Sequence, residues 1–327
     1  MHRLKLMVLL SLVCLGFALL AACDPLAPDS TPVVIVITST PTRTPVPTEL
    51  PIIPTATSAP TQLATAASTA YVCDEQKGQI IDLSFDSKVT SVPIKYRAYL
   101  PPCYAATTRR YPYIILMPGS DKDSTEWTDQ LKINEALDTG INIQALSPMI
   151  LIMPDGGDLM NTNVFQEGAS WESVILDELM PEIEKNFCTW NDRKGRAIGG
   201  ISRGGFWAYE IAFRHPDLFS AVGGHSAYFD PDNAGPAYNP MALAKTVEFP
   251  QGQQPRIWLD TAQDDDVRPN MEIVQKTLTD RGIDASYTMN PTGQHDGEYW
   301  AAHVTEYLAF YGQTWPRNAQ ELPSCLQ

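Results

Sequence analysis

Residues 197–207 read AIGGISRGGFW, and this stretch limits the possible fold more than any other part of the chain. A short apolar run leads to Ser202, and a helix-compatible run follows it. Gly-x-Ser-x-Gly is typical of a nucleophile elbow, in which the serine occupies a strained turn between a strand and a helix. Glycine at 200 and 204 lets neighbouring backbone pass without a Cβ clash. Because this motif also occurs by chance in loops, Ser202 is a candidate nucleophile whose role depends on its context.

Apolar runs alternate with helical patterns along residues 71–327. The predicted strands are 79–85, 92–100, 111–117, 149–153, 196–201, 220–224, 256–261 and 284–289. The main predicted helices are 126–138, 171–187 with a kink at Pro181, 205–214, 268–281 and 299–311. This alternation predicts an α/β fold with a mainly parallel eight-stranded sheet and helices on both faces. Catalytic groups of such a sheet lie on loops at the carboxyl ends of its strands.

A serine nucleophile needs a histidine base and an acid that orients the histidine. On a fold with a nucleophile elbow, the acid follows the serine along the chain, and the histidine follows the acid. His295 lies in the glycine-flanked loop GQHDG after the last predicted strand. Three consecutive aspartates, 264–266, follow the strand before it. The alternative for any aspartate that is not catalytic is a solvated acidic loop.

Several longer stretches resemble a known family. They are YRAYLPPCY, YPYIILMPGS, ILIMPDGG, WESVILDELMPEIEKNF, AIGGISRGGFWAYEIAFRHPDLFSAV and GQHDGEYWAAHVTEYLAFY. Residues 90–312 thus resemble the putative-esterase branch of the α/β-hydrolases, which includes feruloyl esterases, S-formylglutathione hydrolases, enterochelin-type esterases and mycolyltransferases. The resemblance implies an α/β-hydrolase fold and a serine hydrolase that uses no cofactor and no metal ion.

The resemblance also implies roles for individual residues. Ser202 corresponds to the nucleophile and His295 to the base. The family places its acid as Gly-x-x-Asp, and with Ala262 at the glycine position this indicates Asp265, leaving Asp264 and Asp266 as alternatives.

The oxyanion hole is expected to use two backbone N–H groups. One belongs to Arg203, the residue after the nucleophile. The second is inferred to be that of Ser120, although Pro118-Gly119 stands where the family has His-Gly. Since both donors are main-chain groups, they do not require the missing histidine.

Three residues are candidates for the substrate pocket. His225 and Tyr228 follow a strand end, and Trp171 opens a helix beside a polar loop. Core packing is the alternative for each of them.

The leading functional interpretation is a serine carboxylesterase that acts on an extracellular ester, such as an acyl or feruloyl ester of a carbohydrate. A second interpretation is acyl transfer to a sugar or lipid alcohol, as in the mycolyltransferases. The third is an inactive hydrolase fold used as a binding lipoprotein, which the complete set of serine, histidine and acid disfavours.

The N-terminus has the pattern of a lipoprotein signal peptide. Arg3 and Lys5 precede an apolar run over 6–20, and Leu20-Ala21-Ala22 leads to Cys23. We expect removal of residues 1–22, lipidation of Cys23 and export from the cytoplasm. An ordinary secretory signal, with an incidental Cys23, is the alternative.

The next segment, 23–70, is predicted to be a disordered tether. Residues 24–70 contain 9 Pro and 11 Thr and bury little apolar surface. The esterase domain is then expected to occupy 71–327.

The charge of the chain limits its partners. The formal net charge is −15, and it becomes −17 without residues 1–22, which contain two cations and no acids. Such a protein is repelled by nucleic acid and by anionic lipid surfaces. The expected partners are therefore an ester substrate and, through the N-terminal lipid alone, a membrane; the sequence leaves the oligomeric state open.

Four cysteines remain in the predicted domain, which suggests two disulfides in an exported protein. Cys73 and Cys103 flank the predicted hairpin symmetrically, so we expect them to pair. Cys188 and Cys325 then pair by elimination; free buried thiols are the alternative.

Overall fold

The apolar runs of the sequence form one sheet in the computed structural model, which describes residues 73–326. The eight strands are β1 (Gln79–Phe85), β2 (Ile94–Leu100), β3 (Tyr113–Met117), β4 (Ile150–Pro154), β5 (Arg196–Ile201), β6 (Ala221–His225), β7 (Arg256–Ala262) and β8 (Ser286–Asn290). Their spatial order is β1-β2-β4-β3-β5-β6-β7-β8. The pairs β1–β2 and β2–β4 are antiparallel, and all the other pairs are parallel. The predicted mainly parallel, eight-stranded sheet is therefore confirmed.

Helices cover both faces of this sheet. They are α1 (Tyr104–Thr107), α2 (Ile133–Asn142), α3 (Gly157–Asn161), α4 (Trp171–Ser173), α5 (Met180–Asn186), α6 (Arg203–Arg214), α7 (Pro240–Thr246), α8 (Arg268–Asp280) and α9 (Gly297–Gly312). Helices α2 and α9 pack on one face together with Ile114 and Leu116 of β3. Helices α4 to α8 pack on the other face with Ile115 and Met117. Strands covered on both sides need apolar residues at every position, and this explains their unbroken apolar runs.

Two predicted helices are divided in the structure. Between α4 and α5 the chain is π-helical over Val174–Leu179, where the N–H of Met180 donates to Ile175, five residues back. The wider turn lies directly before Pro181, which has no N–H to continue the α-helical ladder. The predicted helix over 126–138 is π-helical at Glu126–Gln130, and α2 begins only after Lys132, whose φ is +58°.

Both predicted disulfides are present. Cys73 bonds to Cys103 across the base of the β1–β2 hairpin, and Cys188 bonds to Cys325. The second bond fastens the C-terminal segment beside residues 108–110, where Arg109 and Ser324 form a β-bridge. The termini of the described domain are thus each tied covalently to its body.

The sequence predictions for the N-terminal region concern residues outside those described. They are the signal peptide over 1–22, the lipidated Cys23 and the tether over 23–70. Within residues 73–326, no helix has both the length and the apolar character required to cross a bilayer.

Candidate active site

Ser202 stands at the junction between β5 and α6. Its backbone has φ +51° and ψ −116°, a strained conformation for a residue with a side chain. The Ser202 N–H donates to the carbonyl of His225 at 3.0 Å, and its own carbonyl accepts the N–H of Tyr228 at 2.9 Å. The strained turn is thus fixed by backbone bonds to the end of β6 and the loop after it.

Close backbone packing explains the two glycines of the motif. A Cβ atom on Gly200 would lie 2.4 Å from the carbonyl carbon of Gly204. A Cβ atom on Gly204 would lie 2.5 Å from the carbonyl oxygens of Met117 and Pro118. Glycine at 204 therefore lets the start of α6 approach the loop that follows β3.

A hydrogen-bonded chain joins the three residues that the sequence singled out. His295 Nε2 lies 2.9 Å from Ser202 Oγ, and His295 Nδ1 lies 3.0 Å from Asp265 Oδ1. Asp265 follows β7, and His295 lies between β8 and α9. Because β5, β7 and β8 are parallel, their carboxyl ends share one edge of the sheet, where the three side chains meet.

Burial distinguishes Asp265 from the aspartates beside it. Asp265 is 3% exposed, whereas Asp264 and Asp266 are exposed. Burial by itself raises the pKa of the Asp265 carboxyl, but the hydrogen bond with His295 and the nearby Ser226 hydroxyl outweigh this effect. The Val267 N–H also donates to Oδ1 at 3.1 Å, and the pKa lies below its usual value. Asp265 is therefore held as a carboxylate that faces the imidazole.

The loop that carries His295 is supported by the start of α9. The Asp296 carboxylate caps this helix by accepting the N–H of Tyr299 at 2.9 Å. The Trp300 ring meets the His295 ring edge-on at 5.1 Å, and its Nε1–H donates to Ser226 Oγ at 3.0 Å. Trp300 thus links the imidazole to Ser226 in the loop after β6. The sequence did not indicate this role.

The two proposed oxyanion donors belong to adjacent segments. Arg203 is the first residue of α6, so its N–H has no partner within the helix. Among the described residues, neither the Arg203 N–H nor the Ser120 N–H donates a hydrogen bond within the protein. The close approach at Gly204 brings the Met117–Pro118 backbone against the same helix end.

The Arg203 side chain is a feature that sequence analysis left unassigned. Its Nε donates to the carbonyl of Met160 at 3.0 Å, and Nη2 donates to the carbonyl of Thr162 and to Asn163 Oδ1. The guanidinium also lies 4.5 Å from the Phe206 ring centroid. Burial lowers its pKa to about 10, which leaves it cationic at neutral pH. Arg203 therefore ties the segment after β4 to the elbow.

The prediction that His225 lines the substrate pocket is wrong. Its side chain is fully buried, with Nδ1 2.6 Å from Asp260 Oδ1 and Nε2 3.0 Å from the Tyr311 hydroxyl. The ring stacks on Tyr307 with 3.6 Å between the centroids. At the elbow, the backbone carbonyl of His225 accepts the Ser202 N–H. The imidazole belongs to a polar network inside the fold.

Of the other two pocket candidates, one is also corrected. Trp171 is fully buried, and its indole N–H faces Met117 Sδ at 3.4 Å, so its ring lies in the core. Tyr228 is 39% exposed and is bonded through its N–H to Ser202. Tyr228 alone of the three stays a candidate for contact with substrate.

One group of possible metal ligands coincides with this site. Oxygen and nitrogen atoms of Asp265, Asp266 and His295 lie within 4.8 Å of one another. Both imidazole nitrogens of His295 are already engaged, one with Asp265 and the other with Ser202. The hydrogen-bonded chain accounts for this cluster without a cation.

Curated proteins with related sequences carry esterase names. A stretch of 165 residues is 33% identical to an endo-1,4-beta-xylanase/feruloyl esterase of Xylanibacter ruminicola and covers 47% of this chain and 22% of the relative. An esterase of Mycobacterium tuberculosis is 33% identical over 132 residues, which is 39% of this chain and 27% of that protein. The matches therefore span about a quarter of the length of these relatives.

Solved structures show the same fold. A ferulic acid esterase superimposes with a TM-score of 0.65 at 21% identity, covering 72% of this chain and 99% of the other. The S-formylglutathione hydrolase of Staphylococcus aureus superimposes with a TM-score of 0.63 at 18% identity, covering 74% and 99%. Both similarities are evidence for the fold.

The match to a protein family is more extensive. The family described as "Putative esterase" matches residues 87–314, a range that contains the elbow, the acid loop and His295. This range is well over half of the chain, and it agrees with the resemblance noted in the sequence. The chain therefore belongs to the putative esterase family of α/β-hydrolases.

Proposed function

We propose that this protein is a serine carboxylesterase that forms an acyl-enzyme on Ser202. The observation that carries the proposal is the continuous chain from Ser202 Oγ through His295 to the buried carboxylate of Asp265, with contacts of 2.9 and 3.0 Å. A serine hydroxyl becomes a good nucleophile when a base takes its proton during attack.

In the first half of the reaction, Ser202 Oγ attacks the ester carbonyl carbon while its proton passes to His295 Nε2. The carbonyl oxygen becomes an oxyanion that accepts hydrogen bonds from the backbone N–H groups of Arg203 and Ser120. Each such donor typically contributes roughly 3–4 kcal/mol to transition-state stabilisation. The intermediate then collapses, and protonated His295 gives its proton to the departing alcohol.

In the second half, His295 takes a proton from water, and the hydroxide adds to the acyl carbon. The new tetrahedral intermediate uses the same two N–H donors, and its collapse releases the acid and returns the proton to Ser202. Asp265 holds the imidazole in the tautomer that presents Nε2 to the serine and stabilises the imidazolium between the steps.

The proposed substrate is an extracellular acyl or feruloyl ester on carbohydrate. The feruloyl esterase name of one relative and the predicted export signal support this class. Lipidation at Cys23 would place the enzyme on the outer side of a membrane, tethered by residues 23–70. Mass spectrometry of the mature N-terminus should find an acylated Cys23; an unmodified terminus at another residue would contradict the anchor.

A panel of acetyl, feruloyl and long-chain esters tests the proposed activity on the full chain. We expect hydrolysis of at least one class, with the free acid as product, and its loss in the His295→Ala variant. Product analysis in the presence of a sugar or lipid alcohol separates hydrolysis from acyl transfer. No turnover across the panel, or turnover that survives His295→Ala, would contradict the proposal.

A further inference from the structure

Glu126 is a buried carboxyl group beside the loop that follows β3. It is 1% exposed, and its Oε2 accepts the N–H of Gly119 at 2.8 Å. Burial raises the pKa of this carboxyl, and the Gly119 N–H offsets that effect only in part. Burying an ionisable group is costly, and an apolar residue would avoid this cost. The bond to Gly119 gives the group a specific role.

Gly119 is held through both of its backbone groups. Its N–H donates to Glu126, and its carbonyl accepts the N–H of Lys122 at 3.3 Å, which closes a four-residue turn. Asp121, the third residue of this turn, has φ +58°, as a type II turn requires. Residues 120–123 are exposed, so anchors within the protein must define the turn.

The orientation of one peptide group follows from these bonds. In a trans peptide the carbonyl and the N–H of the next residue point in opposite directions. The bond from Lys122 fixes the Gly119 carbonyl, and the Ser120 N–H is therefore fixed on the other side of the same peptide plane. The bond to Glu126 fixes the Pro118–Gly119 peptide, and the bond from Lys122 fixes the Gly119–Ser120 peptide, so together they limit rotation about the two backbone bonds of Gly119.

A neighbouring residue anchors the other side of the loop. The Trp127 indole N–H donates to the carbonyl of Met117 at 3.2 Å, just before Pro118. The same carbonyl lies against Gly204 of α6. Glu126 and Trp127 thus hold the residues on either side of Pro118 against the elbow helix.

We propose that Glu126 is a positioning residue of the oxyanion hole: by accepting the Gly119 N–H, it directs the Ser120 N–H towards the oxyanion formed at Ser202. This inference rests on the proposed esterase function. It assigns Glu126 no contact with substrate and no proton transfer. Its contribution is confined to the tetrahedral intermediates, in which the oxyanion needs both donors.

Three substitutions separate the hydrogen bond from the charge. Glu126→Gln keeps an oxygen acceptor at the same reach, Glu126→Asp keeps the carboxylate but shortens its reach, and Glu126→Ala removes the acceptor. We expect the Ala and Asp variants to lose roughly 10-fold to 100-fold in kcat with little change in KM, less than the loss of a complete donor. The Gln variant should retain kcat within about 3-fold, because it restores the bond to Gly119.

A boronic acid provides a readout that a purely structural role would leave unchanged. When n-butylboronic acid binds, Ser202 Oγ adds to the trigonal boron, its proton passes to His295, and a boronate oxygen occupies the oxyanion position. The inhibition constant should rise in the Ala and Asp variants by about the factor lost in kcat/KM, because the boronate is bound less tightly.

The matched control is Glu184→Gln. Glu184 is bonded to Tyr113 and Arg196 at the amino ends of β3 and β5, at the edge of the sheet opposite Ser202.

The outcomes are distinct from those of the proposed function. If wild type hydrolyses no ester, the esterase proposal fails. If wild type is active but folded Asp or Ala variants keep their kcat and boronate affinity, the role of Glu126 is wrong. A Gln variant as impaired as the Asp variant would also overturn it, and this comparison remains decisive if the Ala variant does not fold.

Discussion

The Nδ1 atom of His295 lies 3.0 Å from Oδ1 of Asp265, and the aspartates on either side of Asp265 are exposed. This contact selects one member of a run of three acids that the sequence could not separate fully. The exposed carboxylates of Asp264 and Asp266 supply matched controls with the same chemistry.

Asp265→Asn should therefore reduce kcat on a p-nitrophenyl ester by roughly 10⁴-fold, because the amide favours the wrong histidine tautomer. Asp264→Asn should stay within about 3-fold of wild type, since its side chain is exposed. Asp266→Asn, whose exposed carboxylate lies within 4.8 Å of the ligand atoms of His295 and Asp265, should still lose much less than Asp265→Asn. Steady-state kinetics on the three variants checks the assignment. A larger loss in either control than in Asp265→Asn would move the acid to that position.

Arg203→Met should disturb the segment after β4 while it preserves the backbone N–H of residue 203. The carbonyl of Thr162 loses its charged donor, and we expect a loss of about 2 kcal/mol in the free energy of unfolding. Displacement of this segment should also lower kcat/KM by at least about 10-fold. Urea unfolding and ester kinetics measure the two effects.

Arg281→Met is the control for Arg203→Met. Arg281 directly follows α8, and its side chain donates to the carbonyls of Ala244 and Val247 at the C-terminal end of α7. This variant should lose stability and keep its kcat/KM. Equal losses of activity in both variants would show that destabilisation, and not the link to the elbow, is responsible.

The two disulfides should differ in their contributions to stability. Cys188–Cys325 closes a separation of 137 residues, and Cys73–Cys103 closes one of 30. The chain-entropy relation gives about 5 kcal/mol for the first bond and about 4 kcal/mol for the second. Urea unfolding of the Cys188→Ser/Cys325→Ser and Cys73→Ser/Cys103→Ser variants should rank them in this order; the reverse ranking contradicts the entropic account.

The buried carboxyl of Glu210 should make the free energy of unfolding depend on pH. Burial and the nearby charge of Glu172 raise its pKa well above the ordinary value of 4.5, against the opposing charges of Arg214 and Arg203. The folded state therefore binds this proton more tightly than the unfolded state does, and the stability from Glu210 falls as pH rises above 4.5. Glu210→Gln, which cannot ionise, should gain stability relative to wild type between pH 4 and pH 8, as measured by urea unfolding. A difference that is constant with pH would contradict this.

Two features of the sequence were enough to predict which residues form the candidate site: the order of serine, acid and histidine along the chain, and their positions after parallel strands. Ser202, Asp265 and His295 each follow a strand, and parallel strands bring their carboxyl ends to one edge. Burial within a run of charged residues was harder to predict, because Asp264, Asp265 and Asp266 have the same side chain. Their different exposures arise from the turn that leads into α8.

Contacts between distant segments account for what the sequence did not predict. His225 and Asp260 are register partners on β6 and β7, so their side chains pair inside the fold. Nothing near either residue in the sequence indicates that these strands are neighbours. Glu126 and the Arg203 side chain act through backbone groups of other loops, and no pattern near either residue in the sequence indicates which backbone group its side chain meets.

Labelling of Ser202 by a fluorophosphonate tests the central claim most directly. The probe should add one phosphonyl group to the full wild-type chain, and peptide mass spectrometry should locate it on Ser202. Ser202→Ala should remain unlabelled and lose on the order of 10⁶-fold in kcat. Labelling of the wild type at another residue, or equal labelling of Ser202→Ala, would contradict the assignment of Ser202 as the nucleophile.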